Sequence, residues 1–274
     1  MRVDSHFHLW RPGRGDYGWL TPATGILYRD YEPGEFAPLL MAHGIDAAIL
    51  VQAAPSEAET RFLLEHAERR PWIAGVVGWT DLAADDAPAR VAALAQIPKV
   101  RGLRPMLQDL SDPNWILGDA IRPALHAMAQ HGMVFDALVR AAQLPSIVTL
   151  AAQNPHLSIV LDHFGKPEID GAPENAWLDA ISALADAPNV TIKLSGLLTE
   201  APAQAGAALL TPFFDHVANR FGTSRILWGS DWPVLTTAST YADWLAISHT
   251  LLAAFDNRAR EAIFGANAAR VYQL

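Results

Sequence analysis

The sequence predicts one α/β domain, a single parallel (β/α)8 TIM-like barrel, and three observations carry that expectation. Short apolar, β-rich runs alternate with longer Ala/Leu-rich amphipathic segments along the whole chain. The length of 274 residues lies close to the roughly 250 typical of the fold. No glycine-rich phosphate turn follows the first strand, which disfavours a doubly wound open sheet, the nearest competitor. No linker, low-complexity tract or charge block divides the chain, so 1–274 is read as one domain.

Strands are expected at Arg2–Leu9, Ala47–Gln52, Ile73–Thr80, Val100–Met106, Met133–Val139, Ser158–Gly165, Val190–Gly196 and Arg225–Asp231. Helical patterns fall at Ser56–Arg69, Pro88–Gln96, Gly118–His131, Leu144–Gln153, Ala176–Asp186, Gln204–Arg220 and Tyr241–Phe255. Gly, Pro and Asn punctuate the joins, as in His43-Gly44, Asn154-Pro155 and Phe221-Gly222. The first strand carries DSHFHLW; alternation puts Asp4, His6 and His8 on one face, and Val3, Ser5 and Phe7 on the other. Arg11–Tyr31 is a long loop rich in Tyr17, Trp19, Tyr28 and Arg29. A loop beyond about 12 residues in a compact domain is usually functional, which makes it a candidate lid.

Composition narrows the function. Hydrophobic residues make up 51%, enough for a sizeable core, and 20 Lys+Arg against 29 Asp+Glu leave a net charge of −9. That balance disfavours a nucleic-acid partner, which needs a basic face. With no cysteine, any metal must be held by histidine and carboxylate. No apolar run approaches membrane-spanning length and the N-terminus lacks a signal-like segment, so a cytoplasmic protein without a membrane partner is expected. A homo-oligomer is compatible with the sequence.

In a (β/α)8 barrel the active site lies at the C-terminal ends of the strands. His6 and His8 end the first strand there, Arg104 the fourth, His163 the sixth and Asp231 the eighth; Asp136 lies in the fifth, Lys193 and Ser195 in the seventh. The remaining seven histidines fall on helices or loops. Three histidines and an aspartate suit a catalytic divalent metal such as zinc or manganese, with a position kept for water. Asp231 can both touch the ion and accept a proton. Arg104 could clamp a substrate carboxylate or carbonyl, or form a structural ion pair with Asp109 or Asp112. Lys193 and Asp136 are expected to neutralise each other inside the barrel. Lys166 either reaches the pocket or is an ordinary loop lysine. Trp10, Trp79 and Trp232, directly after strand ends, and Trp19 in the long loop are candidates to flank a substrate ring, whereas Trp72 and Trp228 belong to the core.

DSHFHLW, the GLRP turn, LDHFGKP, KLSG, GSDWP and the terminal IFGANAARVY, in order along nearly the whole chain, resemble the amidohydrolase superfamily. More narrowly they resemble its amidohydrolase-2 branch of sugar-lactone and 2-pyrone-4,6-dicarboxylate lactonases. The resemblance implies a distorted barrel of amidohydrolase type and hydrolysis of a small-molecule lactone. It also implies a metal site at His6, His8 and His163 with Asp231 as general base; by their places at strand ends, His163 and Arg104 are further catalytic candidates and Asp231 a further metal ligand. Strand four offers Arg104 in place of the modified lysine of binuclear members, and strand five has no histidine, so one divalent ion, zinc, is expected at most. Some pyrone-dicarboxylate lactonases work without metal and use the same histidines as polar contacts. A zinc decarboxylase of the same superfamily and a catalytically silent sugar-acid binding barrel are the competing expectations.

Overall fold

The computed structural model describes all 274 residues. Eight parallel strands form one sheet in sequence order: β1 (Val3–Phe7), β2 (Ala47–Val51), β3 (Ile73–Gly78), β4 (Val100–Leu103), β5 (Val134–Ala137), β6 (Ser158–Leu161), β7 (Val190–Leu194) and β8 (Ile226–Trp228). Each strand pairs with the next, and the sheet curls into a nearly closed barrel. Its seam is made beyond β8: Asp231 N–H donates to the His6 carbonyl at 2.8 Å and His8 N–H to the Trp232 carbonyl at 2.7 Å. The backbone that closes the barrel is therefore the backbone that carries Asp231.

Helices α1 (Pro33–His43), α2 (Glu57–Glu68), α3 (Ala87–Ala95), α4 (Arg122–Gln130), α5 (Leu144–Gln153), α6 (Asn175–Asp186), α7 (Ala207–Phe221) and α8 (Tyr241–Leu251) cover the outside. Helix α1 lies where the sequence reading left no helix. Its segment PGEFAPLLMAH is interrupted by Pro38 and has apolar residues on several faces, so no helical stripe stands out. Its end signals are nevertheless present, with Pro33 in the first turn and Gly44 at the C-terminus in the left-handed region at φ 64°. No helix is long and apolar enough to cross a membrane.

Two apolar regions hold the barrel. A large one lies between sheet and helices and includes Phe7, Phe36, Trp228 and Trp244; Trp72 packs against it, as expected. A smaller one fills the barrel floor with Val3, Ile49, Val51, Val77, Val134, Val160 and Leu227. Each such side chain is worth roughly 1.5–3 kcal/mol when removed from water. The C-terminal segment IFGANAARVY continues through α9 (Asn257–Glu261), a π turn and α10 (Asn267–Val271), and Tyr272 joins the floor.

Two expectations are corrected. The strands stop earlier than predicted, so His8, Arg104, His163 and Asp231 stand on the turns just beyond them. Asp4 does not share a face with His6 and His8. The β1–β2 register shifts between Asp4 and Phe7, which inserts a residue and reverses the alternation. Val3 points into the floor and Phe7 outward. Asp4 points away from the site and accepts from the Tyr241 hydroxyl of α8 at 3.1 Å and from Ser230 N–H at 2.9 Å. Burial there pushes its carboxyl up to about 6.

Candidate active site

A cavity of about 220 Å³ opens at the C-terminal ends of the strands, lined on its reactive side by His8, Arg104, His163 and Asp231. Sites for drug-sized ligands run to roughly 300–1,000 Å³, so this one suits a single small ring. Apolar Met106, Leu138 and Val234 share the lining with Trp19.

The backbone that presents these groups is unusual. His163 (φ 52°), Phe164 (φ 54°) and Asp231 (φ 59°) all adopt left-handed conformations, which cost a non-glycine residue about 1–3 kcal/mol each and persist only where surroundings over-determine them. Here the surroundings are the barrel seam for Asp231 and the β7 turn for His163. Gly196, itself at φ 65°, leaves the space that His163 fills: a Cβ there would come within 2.6 Å of the imidazole. The glycine of KLSG thus makes room for the histidine of LDHFG.

Three imidazoles converge on one carboxylate oxygen. Asp231 Oδ1 lies 3.2 Å from His8 Nε2, 3.6 Å from His6 Nε2 and 3.8 Å from His163 Nε2; His6 and His8 Nε2 are 3.1 Å apart. Each ring is oriented through its other nitrogen. His8 Nδ1 donates to the Val51 carbonyl at 2.7 Å. His163 Nδ1 pairs with Ser195 Oγ at 2.8 Å, and His6 Nδ1 faces Asp162 Oδ1 at 3.4 Å and Lys193 Nζ at 3.1 Å. Oriented Nδ1 partners of this kind are what metal-binding histidines use.

The donor set fits a metal. Four ligands at the usual zinc distances stand about 3.3 Å from one another, and these separations scatter around that value. His6, His163 and Asp231 offer ligand atoms all within 4.8 Å of one another and could hold an ion, with His8 at the edge of the group.

Below this cluster lies a sealed layer of charge. Lys193 Nζ donates to Asp136 Oδ2 at 2.5 Å and lies 2.9 Å from Asp162 Oδ1, and Arg104 donates from Nη1 to Asp162 Oδ2 at 3.1 Å and from Nη2 to the Gln52 carbonyl. The Tyr272 hydroxyl reaches both Asp136 oxygens, at 2.8 and 3.1 Å. Burial opposes the charge on Asp162, but Lys193, His6 and Arg104 outweigh it and hold its carboxyl well below the usual range. Asp136 is pushed up to about 6 by burial, only partly offset by Lys193. Burial lowers the His6 imidazole well below its ordinary value, helped by Lys193, and lowers His163 to about 4. Asp231 is likewise buried, yet His163, the His8 hydrogen bond and His6 keep it below the carboxylate range. Near neutral pH Asp231 is therefore ionised, and His6 and His163 are neutral.

The amidohydrolase family model matches residues 3–274. The chain belongs to that family. It is 43% identical over 280 residues to an L-fucono-1,5-lactonase of Burkholderia ambifaria, across 100% of this chain and 96% of that protein. It is 37% identical over 289 residues to an L-fucono-1,5-lactonase of Burkholderia multivorans, with the same shares covered. A crystal structure of an amidohydrolase from Burkholderia multivorans with bound zinc matches it with a TM-score of 0.93 and 36% identity, over 100% of this chain and 99% of that one.

In this amidohydrolase the other sequence candidates divide. Arg104 lines the cavity, but its ion pair is with Asp162, not Asp109 or Asp112. Of the tryptophans, Trp19 lines the cavity, fixed by Nε1–H donating to the Ala53 carbonyl at 2.7 Å. Trp10, Trp79 and Trp232 do not line it. Trp10 is wholly buried and donates to the carbonyls of Leu27 and Arg29, pinning the long loop; Trp232 packs on Phe36; Trp79 is bound through its backbone to Thr60. A position after a strand end does not fix which way a large ring turns: Trp10 and Trp232 turn into the packing, and Trp79 is half-buried outside the cavity. Lys166 lines the cavity and pairs with Glu200 at 3.1 Å.

Sequence reasoning missed Asp162, Gln52 and Glu59. Asp162 was hidden beside His163, although a carboxylate inside the apolar run SIVLDHFG is itself a signal. Glu59, in the first turn of α2, accepts from Ala53 N–H at 3.0 and 3.1 Å and from Ala54 N–H at 2.6 Å, holding the cavity wall. Burial raises its carboxyl to about 8.

Proposed function

We propose that this amidohydrolase opens the ring ester of a neutral sugar lactone, an L-fucono-1,5-lactone-like compound by similarity to its lactonase relatives. One observation separates neutral from carboxylated substrates: both cations lining the cavity are already paired, Arg104 with Asp162 and Lys166 with Glu200. Asp109 also lines it and takes part in no ion pair, so the cavity wall is short of positive charge for a substrate carboxylate.

Asp231 is the general base. Its Oδ takes a proton from the attacking water as the water oxygen bonds to the ring carbonyl carbon. Negative charge grows on the carbonyl oxygen in a cavity where Arg104 is fixed before the reaction, and where His163 can donate to that oxygen when no metal is bound. The ring C–O bond then breaks, Asp231 returns the proton to the leaving alkoxide, and an open-chain hydroxy acid results. His6, His8, His163 and Asp231 would hold one divalent ion, zinc by donor type and by likeness to the zinc-bound neighbour. Such an ion would acidify water and polarise the carbonyl.

A hydrolysis screen with a pH indicator, on chelated and zinc-loaded protein, tests the reading. Acid release from neutral sugar lactones is expected, with metal analysis giving at most one ion per chain and none in His6→Ala. Turnover confined to carboxylated lactones, release of carbon dioxide, or binding without turnover would each overturn it.

A further inference from the structure

Another wall of the cavity has no role in that chemistry, and it carries two polar side chains with groups that have no partner in the protein. Gln108 lines the cavity, and its carboxamide oxygen is buried with no hydrogen-bond partner in the protein. An amide left in that state is costly unless something fills it, and either end of the amide can bond a hydroxyl. Beside it, Asp109 lines the same cavity with an exposed carboxylate that has no ion-pair or hydrogen-bond partner in the protein.

Both residues ride on one short 3-10 turn, Leu107–Asp109, directly after β4. The turn is held from below: Gln108 N–H donates to the Leu138 carbonyl at 3.0 Å, and the buried Gln143 side chain donates to the Leu107 carbonyl at 2.7 Å. Its polar groups are thus presented on a rigid support, the condition for recognition without an ordering cost. An ionised carboxylate is an acceptor only, so Asp109 asks for donors. Ring hydroxyls supply donors, while a substrate carboxylate would be repelled.

We propose that Gln108 and Asp109 form the specificity element of the cavity, binding the ring hydroxyls away from the reacting ester and so selecting polyhydroxylated lactones. The proposal rests on the lactonase reading and goes beyond it by assigning substrate selection to two residues outside the histidine–aspartate cluster. A site built to bond hydroxyls discriminates against analogues that lack them.

The test compares kcat/KM for a neutral sugar 1,5-lactone with that for unsubstituted δ-valerolactone, in wild type, Gln108→Ala and Asp109→Ala. The ratio should fall about tenfold in each variant, chiefly through KM for the sugar lactone, with melting temperatures retained. A ratio that stays at the wild-type value, even if both rates drop, would assign the turn to structure and sink the proposal. Should the wild type hydrolyse neither compound, the lactonase reading fails separately, and calorimetric binding of the sugar lactone decides. Weaker binding in both variants than in wild type supports the assignment; equal or absent binding overturns it.

Discussion

Two sets of charged and polar side chains sit inside this barrel at different depths, and they differ in what they face. The deeper set, Lys193, Asp136, Asp162 and Tyr272, is buried and paired within itself, Lys193 with both carboxylates and Tyr272 with Asp136. The shallower set, His8, His163, Asp231, Gln108 and Asp109, borders the cavity, and several of its atoms have no protein partner. Arg104 and His6 link the two, Arg104 through Asp162 and His6 through Lys193. The same residue types act as scaffold where sealed and paired, and as chemistry where open. The fixed deeper layer orients His6 without exposing a charge, and the open layer keeps bonding capacity for a substrate.

That contrast can be broken most forcefully from below. Lys193→Met leaves two buried carboxylates without their shared cation, and losing one partner of a buried pair costs about 3–5 kcal/mol. Urea unfolding should show that loss, and the double variant with Asp136→Leu should recover part of it. Wild-type stability in the single variant would mean that the layer is not sealed.

Asp231→Asn probes the open layer, where stability should hold and turnover should not. A fall of about 10² or more in kcat is expected, the scale of general-base catalysis, with an unchanged unfolding midpoint.

Arg104→Lys tests the link between layers. Arg104 donates from one terminal nitrogen to Asp162 and from the other to the Gln52 carbonyl, and lysine cannot reproduce that fork. KM for neutral and for acidic lactones should therefore shift by the same factor. A larger shift for acidic lactones would restore the carboxylate clamp.

The smallest effect belongs to Glu59, a sealed group with raised pKa. Burial raises its carboxyl to about 8 in the fold, against an ordinary value of 4.5. Its neutral form is favoured in the fold, so its contribution is full below about 4.5 and is lost as pH rises through about 8. Glu59→Gln escapes that loss. Its melting temperature relative to wild type should rise across that window, and a pH-independent difference would contradict the raised value.

Much of the site was legible because it is periodic and local. His6 and His8 announce themselves by spacing, and Arg104, His163 and Asp231 by following apolar β runs. The Lys193–Asp136 pair followed from the cost of a lone buried lysine, and the tertiary structure added Asp162 as a second carboxylate. Helix α1 was obscured by Pro38 and by its spread of apolar residues, which erase the stripe that burial of one face normally leaves.

By itself the sequence determined the barrel, its strand count, the candidate histidines and aspartate, and the family likeness, because strand–helix alternation and short motifs are properties of neighbouring residues. Only the tertiary structure decided that Asp4 leaves the site, that Trp19 rather than Trp10, Trp79 or Trp232 lines the cavity, and that Arg104 is bound to Asp162. Those outcomes turn on a one-residue register shift, on the direction a large ring takes into available space, and on pairings between strands far apart in the chain. None of the three is encoded in local spacing; each is settled by what the rest of the barrel has already filled.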